Sequence, residues 1–170
     1  MTIESAVDPS SVPSWDRVHA RTSSLREVIA DLDAGRPLPS TADAFADRGE
    51  LLRALHGTWS RRLNGRLDLA LETDDHDLTD SVARAWLDTV DDLPGVRRIL
   101  DEQADHQALR HVRRIELRTV AVAAGLATFD DPVATSARVG ASFVRGLRGR
   151  GRPVVERPPV WARLRRALLG

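Results

Sequence analysis

The segment that decides the fold is residues 45–72, FADRGELLRALHGTWSRRLNGRLDLALE. Its inward positions recur every three or four residues, which is the repeat of one face of an α-helix. They are Phe45, Gly49, Leu52, Leu55, Trp59, Leu63, Leu67 and Leu71. The Asn64-Gly65 pair is typical of a break, but the stripe keeps its register across it. One long helix is therefore predicted, opening at Ser40 or Thr41, both favoured N-cap residues, and ending near Glu72.

The same repeat on both sides of this segment predicts five further helices. They cover residues 14–34, 78–91, 94–104, 106–127 and 132–147. Pro94 and Pro132 suit the first turns of the fourth and sixth helices. No strand pattern of useful length is present. The predicted fold class is all-α, a compact bundle of five to six helices with a flexible basic C-terminal tail that ends in a short amphipathic helix.

Apolar spacing also predicts which face of each helix is buried. The first helix is expected to use Trp15, Val18, Thr22, Leu25, Ile29 and Leu32. The fifth is expected to bury Ala108, Val112, Ile115, Thr119, Val122 and Leu126, with Arg110, Arg114 and Arg118 on another face. Its second half, residues 120–127, is predicted to be the most buried segment. The sixth helix carries small residues, Ala137, Gly140 and Ala141, which allow a close helix crossing.

Composition excludes several kinds of chemistry. All 25 Lys and Arg positions are arginine, and cysteine is absent. The chain therefore has no phosphate-loop lysine, no lysine Schiff base, no thiolate nucleophile and no zinc–thiolate site. The net charge is zero, but residues 1–105 hold 21 acidic and 12 basic side chains, and residues 106–170 hold 4 and 13. This asymmetry indicates either two halves that neutralise each other or a basic surface for an acidic partner.

Domain boundaries are predicted where the helical apolar repeat begins and where it gives way to an Arg/Gly-rich segment. Residues 1–12 are predicted to be a disordered N-terminus, residues 13–147 the helical bundle, and residues 148–170 an Arg/Gly-rich linker with a short amphipathic helix. The first residues lack the apolar core of a signal peptide, and the uncharged run 119–129 is shorter than the roughly 20 residues of a membrane span. A cytoplasmic location is expected.

The C-terminal helix, VWARLRRALL at residues 160–169, is the leading candidate for a binding site. Its proposed partner-binding residues are Trp161, Leu164 and Leu168 on one side and Arg163, Arg165 and Arg166 on the other. A helix this short is unstable alone in water. It is therefore expected to dock on its own domain, bind a groove of a protein partner, or lie on an anionic membrane surface.

Histidines and glutamates supply the alternative, a small helical enzyme or a metal-binding bundle. The candidates are His56, Glu102, His106 and Glu116, and we expect His56 on the second helix to lie near Glu116 on the fifth. The Glu-x-x-His pairs of di-iron bundles and the His-Glu-x-x-His motif are both absent. No cofactor is predicted, and the acidic loop around His76 lacks the spacing of a calcium-binding loop.

Nucleic-acid binding through the arginine-rich C-terminal part is a second alternative. The arginine run is single and short, no aromatic residues are interleaved with it, and the total charge is neutral, so nucleic acid is disfavoured. The sequence therefore favours a non-enzymatic helical interaction protein that engages a protein partner or an anionic surface through its basic C-terminal segment.

Overall fold

The computed structural model describes residues 15–40, 42, 44–72 and 77–149, except for the side chains of residues 16, 17 and 149. Within these ranges it contains six α-helices and no strand, which confirms the all-α bundle. The helices are α1 (Trp15–Asp33), α2 (Arg48–Glu72), α3 (Leu78–Asp92), α4 (Pro94–Glu102), α5 (Gln107–Ala123) and α6 (Val133–Gly149). The N-terminus, residues 1–12, and residues 150–170 of the tail lie outside the described residues, whereas α6 carries the bundle two residues past the predicted boundary at 147.

Helix α2 forms the centre of the bundle and contacts α1, α3, α4 and α5. Its stripe is buried from Leu52 through Leu67, and Trp59 is completely enclosed. The helix runs unbroken through Asn64 and Gly65, as the register of the stripe predicted. Only the last member of the stripe, Leu71, is exposed.

The start of α2 differs from the prediction, because the helix begins at Arg48 rather than at Ser40 or Thr41. Asp47 Oδ1 accepts a hydrogen bond of 2.7 Å from the backbone N–H of Glu50. Glu50 Oε2 in turn accepts one of 2.6 Å from the backbone N–H of Ala46. This reciprocal arrangement satisfies donors that the helix itself leaves free, so Asp47 takes the capping role that the sequence assigned to Ser40 or Thr41.

Of the stripe predicted for α1, only Leu32 is buried, and Leu25 and Ile29 are half-buried. Trp15 is 75% exposed and Val18 is exposed as well, whereas Val28, which the prediction did not include, is buried. Among the described elements α1 packs chiefly on α4, where the backbone N–H of Gly95 donates to Asp33 Oδ1 at 2.9 Å. Near its start α1 is held at Arg21, which pairs with Glu50 and lies over the ring of Phe45, whereas Trp15 and Val18 remain exposed.

The predicted buried face of α5 is wrong, because a different face of the helix is buried in the structure. The buried residues are Leu109, Glu116, Val120, Ala121 and Ala123, whereas Ile115, Thr119 and Leu126 are exposed and Ala108, Val112 and Val122 are half-buried. The helix also ends at Ala123, and of the segment predicted to be most buried, residues 120, 121, 123 and 124 are buried, 122 and 127 are half-buried, and 125 and 126 are exposed. The face was misassigned because its central member is the charged Glu116, which an apolar stripe places in solvent.

Helices α5 and α6 cross closely, as the small residues of α6 predicted. A Cβ atom added at Gly140 would lie 1.9 Å from the Leu117 carbonyl oxygen, so no side chain is accommodated there. Ala137 and Val144 are buried on either side of this crossing. The absence of a side chain at Gly140 therefore sets the spacing between the two helices.

Candidate functional site

The predicted partner-binding residues of the tail lie outside the described part of the chain. These are Trp161, Arg163, Leu164, Arg165, Arg166 and Leu168. His76 in the acidic loop lies outside it as well. Three features of the described residues remain as candidates: a buried charged cluster, an arginine surface and an apolar groove.

The predicted proximity of His56 and Glu116 is confirmed. His56 Nε2 lies 2.9 Å from Glu116 Oε2, and both side chains are buried between α2 and α5. Neither atom has a partner of good hydrogen-bonding geometry, so the contact is a close polar approach rather than an aligned bond. On the other side of the ring, His56 Nδ1 lies 3.2 Å from the hydroxyl of Ser60.

Arg97 completes this buried cluster and was not anticipated from the sequence. Its guanidinium lies over the rings of Trp59 and Trp86, at 4.8 and 5.4 Å from their centroids, and the two rings meet edge to face. One nitrogen lies 3.4 Å from Glu116 Oε1, and the other bonds Asp101, one turn along α4. Cation–π contacts together with two carboxylates make burial of the arginine tolerable. No local signal in the sequence places Arg97 there; Trp59 and Trp86, on neighbouring predicted helices, only offer ring faces over which an arginine can lie.

Asp101 links the cluster to the surface. Its carboxylate contacts Arg97, Arg148 at 2.7 Å and Arg113 at 3.6 Å. Burial alone would raise the pKa of Asp101, but the hydrogen bond and charge of Arg97, reinforced by Arg148, hold that pKa below its ordinary value of 3.8. Asp101 is thus a charged anchor that joins α4, α5 and α6.

The order Ser60–His56–Glu116 matches that of a serine, histidine and acid relay, but it lacks the rest of a catalytic site. Ser60 lies inside α2, whose neighbouring backbone N–H groups are used within the helix and do not form an oxyanion hole. Glu116 is also paired with Arg97. In the described residues, the cluster pairs the buried charges of Arg97 and Glu116 with each other and with Asp101 and His56.

The other two members of the predicted metal site do not join His56 and Glu116. Glu102 is exposed and pairs with Arg98 at 3.3 Å. His106 caps α5, where its Nδ1 accepts a hydrogen bond from the backbone N–H of Ala108 at 3.2 Å. Across residues 15–149, where the structure describes them, no group of three or more His, Asp or Glu side chains is placed to hold a metal ion. The four candidate side chains therefore do not converge on one site.

The arginine seam, defined as Arg110, Arg114 and Arg138, lies along the outer junction of α5 and α6. These side chains rim a depression of about 490 Å³ whose floor includes Ala134 and Ala137. All three arginines are exposed, and none pairs with an acidic side chain in the described ranges. The seam is thus a concentrated positive surface beside the helix that leads into the tail.

The apolar groove lies between the end of α2, the start of α3 and the outer side of α5. It has a volume of about 720 Å³, and its apolar lining includes Leu71, Leu78, Ile115, Val122 and Phe129. Ile115 and Val122 belong to the stripe that the sequence placed in the core. These two residues of the stripe therefore line a groove on the surface and do not lie in the core.

Comparison of the chain with protein-family models, with curated proteins and with solved structures finds no match. No described helix combines the length and apolar character that crossing a membrane demands.

Proposed function

We propose that the protein is a non-enzymatic helical interaction protein that engages an anionic surface or an acidic protein partner through its basic C-terminal segment. Residues 150–170 hold six arginines against one acidic residue, Glu156. Trp161, Leu164 and Leu168 share one side of the predicted helix in this segment. A cytoplasmic location belongs to the same proposal, and cell fractionation tests it.

The observation that carries the proposal is the arginine seam. It places Arg110, Arg114 and Arg138 on the same helix pair that leads into the tail, without described acidic partners. Exposed Arg145 follows on α6 and extends the positive charge toward residue 150, whereas Arg148 is paired with Asp101. Clustered arginine of this kind attracts anionic surfaces, and each cation near such a membrane contributes about 1 kcal/mol.

Binding to vesicles tests the proposal without a purified protein partner. The full-length protein should bind vesicles that contain phosphatidylserine and not vesicles of phosphatidylcholine alone. Reversing two charges, Arg165→Glu with Arg166→Glu, should weaken binding more than tenfold, since at least about 2 kcal/mol of attraction is lost. The matched control, Arg26→Glu with Arg53→Glu, removes the same charge from exposed sites on α1 and α2 and should weaken binding less.

The apolar contribution is tested by Trp161→Ala, which should weaken vesicle binding by more than tenfold at unchanged charge. Equal losses for tail and control variants would overturn the proposal, because bulk charge alone would then explain the binding. If the protein does not bind vesicles, the proposal requires an acidic protein as the partner. Affinity capture of that partner should then be weakened more by the tail variants than by the Arg26→Glu, Arg53→Glu control.

A further inference from the structure

The apolar groove gathers exposed large apolar side chains of the described bundle in one concave surface. Four of its lining side chains, Leu71, Leu78, Ile115 and Phe129, are among the large apolar residues that the described bundle leaves exposed. Large apolar side chains that gather in one concave place, rather than scatter singly, mark a site that another apolar group covers.

One segment of this chain has the chemistry to cover the groove. Residues 160–169 present Trp161, Leu164 and Leu168 on one helical side. Anchors at spacings of three and four residues are those with which an amphipathic helix enters a hydrophobic groove.

The length of chain between the bundle and this segment permits the contact. Phe129 lies four residues before α6 begins, so the groove is near the start of α6, whereas the tail leaves from its end. The 17 residues of α6 span about 25 Å at about 1.5 Å each. Residues 150–159 reach about 33 Å when extended, at about 3.3 Å each, which suffices to return along α6 to the groove.

Charge around the groove favours the same occupant. Asp68 lines the groove, and Glu72 follows one turn later on α2, both exposed. The lining cation, Arg118, already donates a hydrogen bond of 2.6 Å to the Phe129 carbonyl. A helix docked in the groove with its arginines toward the end of α2 would place them beside the carboxylates of Asp68 and Glu72.

We infer that residues 160–169 dock in the apolar groove of their own chain when no partner is bound. A tether this short holds the segment at an effective concentration of about millimolar, so a contact with a dissociation constant below about 1 mM is occupied most of the time. Docking uses the same side chains that we propose for partner binding, so the inference deepens the proposed function: a partner must draw the segment out of the groove.

Engineered disulfides test the docking directly, because the full chain contains no cysteine. The test pair is Asn64→Cys with Ala167→Cys, which joins an exposed polar residue of the groove to the tail. The control pair is Arg53→Cys with Ala167→Cys. Arg53 is exposed in the first half of α2, which meets α5 near Ala108, the end of the bundle where α6 finishes. If the tail does not dock, its cysteine should therefore meet the cysteine at position 53 more often than the one at position 64.

The test pair should form an intramolecular disulfide at least tenfold faster than the control pair under the same mild oxidation. Adding Trp161→Ala, or Leu71→Asp at an exposed position of the groove, should remove this advantage. Equal rates for the two pairs would overturn the inference. Disulfide-linked dimers whose yield rises with protein concentration would overturn it too, in favour of a second copy as the occupant.

The oxidised test pair separates this inference from the proposed function. The oxidised protein should lose vesicle binding at least tenfold, and reduction should restore it. If the disulfide forms rapidly but the reduced protein binds no anionic vesicle or acidic partner, the docking stands and the proposed function fails. If vesicles are bound but the disulfide shows no preference, the proposed function stands and the docking fails.

Discussion

Substituting Gly140 by alanine should destabilise the protein, although alanine is the better helix former. The new Cβ atom would lie 1.9 Å from the carbonyl oxygen of Leu117. A carbon and a carbonyl oxygen approach to about 3.3 Å, so α5 and α6 would have to separate by about 1.4 Å. The obstacle is backbone, which cannot move aside by changing a rotamer.

The magnitude follows from two opposing terms. Overpacking costs about 1–3 kcal/mol, and the upper end applies because the whole crossing must open. The gain in helix propensity from glycine to alanine is about 1 kcal/mol. The net loss is therefore about 2 kcal/mol, which lowers the Tm of a domain of this size by about 4–8 °C.

Gly146→Ala is the matched control, since Gly146 lies on the same helix with nothing within 4 Å of an added Cβ. It should raise stability by up to about 1 kcal/mol. Thermal and urea unfolding, followed by far-ultraviolet circular dichroism, measure both variants. Equal or greater stability of Gly140→Ala than of the unmodified protein would refute the close crossing.

Three further predictions concern the buried face of α5 and the charged cluster, and urea unfolding measures each. Val120→Asp should cost several kcal/mol because Val120 is fully buried, while Val122→Asp, at the groove, should cost much less; equal effects would mean that the face is misplaced. Glu116→Ala should cost about 3–5 kcal/mol because it leaves the buried Arg97 without one of its carboxylates, and a loss below about 1 kcal/mol would show that the pair is dispensable. Because the pKa of Asp101 is lower in the folded protein, ionised Asp101 adds to the free energy of unfolding above about pH 4, and this contribution is lost as the pH falls through the folded-state pKa. Asp101→Asn should therefore reduce the fall in the free energy of unfolding at acid pH. An unchanged dependence on pH would contradict this role of Asp101.

Sequence patterns were sufficient where burial is purely apolar. The stripe of α2 predicted an unbroken helix through Asn64-Gly65, and the small residues of α6 predicted the close crossing at Gly140. Both depend on spacing and side-chain volume, which a single sequence displays directly.

The misassigned face of α5 has a physical origin in polar groups that satisfy one another across helices. Glu116 faces inward because Arg97 and His56 meet it there, so the apparent apolar stripe of α5 was rotated away from the true buried face. The cap of α2 is different, because Asp47 and Glu50 lie three residues apart and form a local capping pattern that the sequence displays and that the choice of Ser40 or Thr41 overlooked. The partners of Glu116, by contrast, come together only in the folded chain, and no local repeat in the sequence indicates them.

The candidate site was only partly predictable for a related reason. The proximity of His56 to Glu116 followed from two neighbouring stripes, but the separation of Glu102 and His106 from that pair depends on how α4 ends. The apolar groove required three helix ends to be placed together. Its lining residues read as core in the sequence because they are apolar and regularly spaced.

Binding of the isolated tail tests most directly whether the C-terminal segment carries the binding function. A synthetic peptide of residues 150–170 needs no folded bundle, and its affinity for phosphatidylserine vesicles can be measured beside that of the full-length protein. We expect the peptide to bind at least as tightly as the full-length protein, and more tightly if docking in the groove holds the tail back. A peptide that does not bind, beside a full-length protein that does, would place the binding surface on the bundle and contradict the proposed role of the tail.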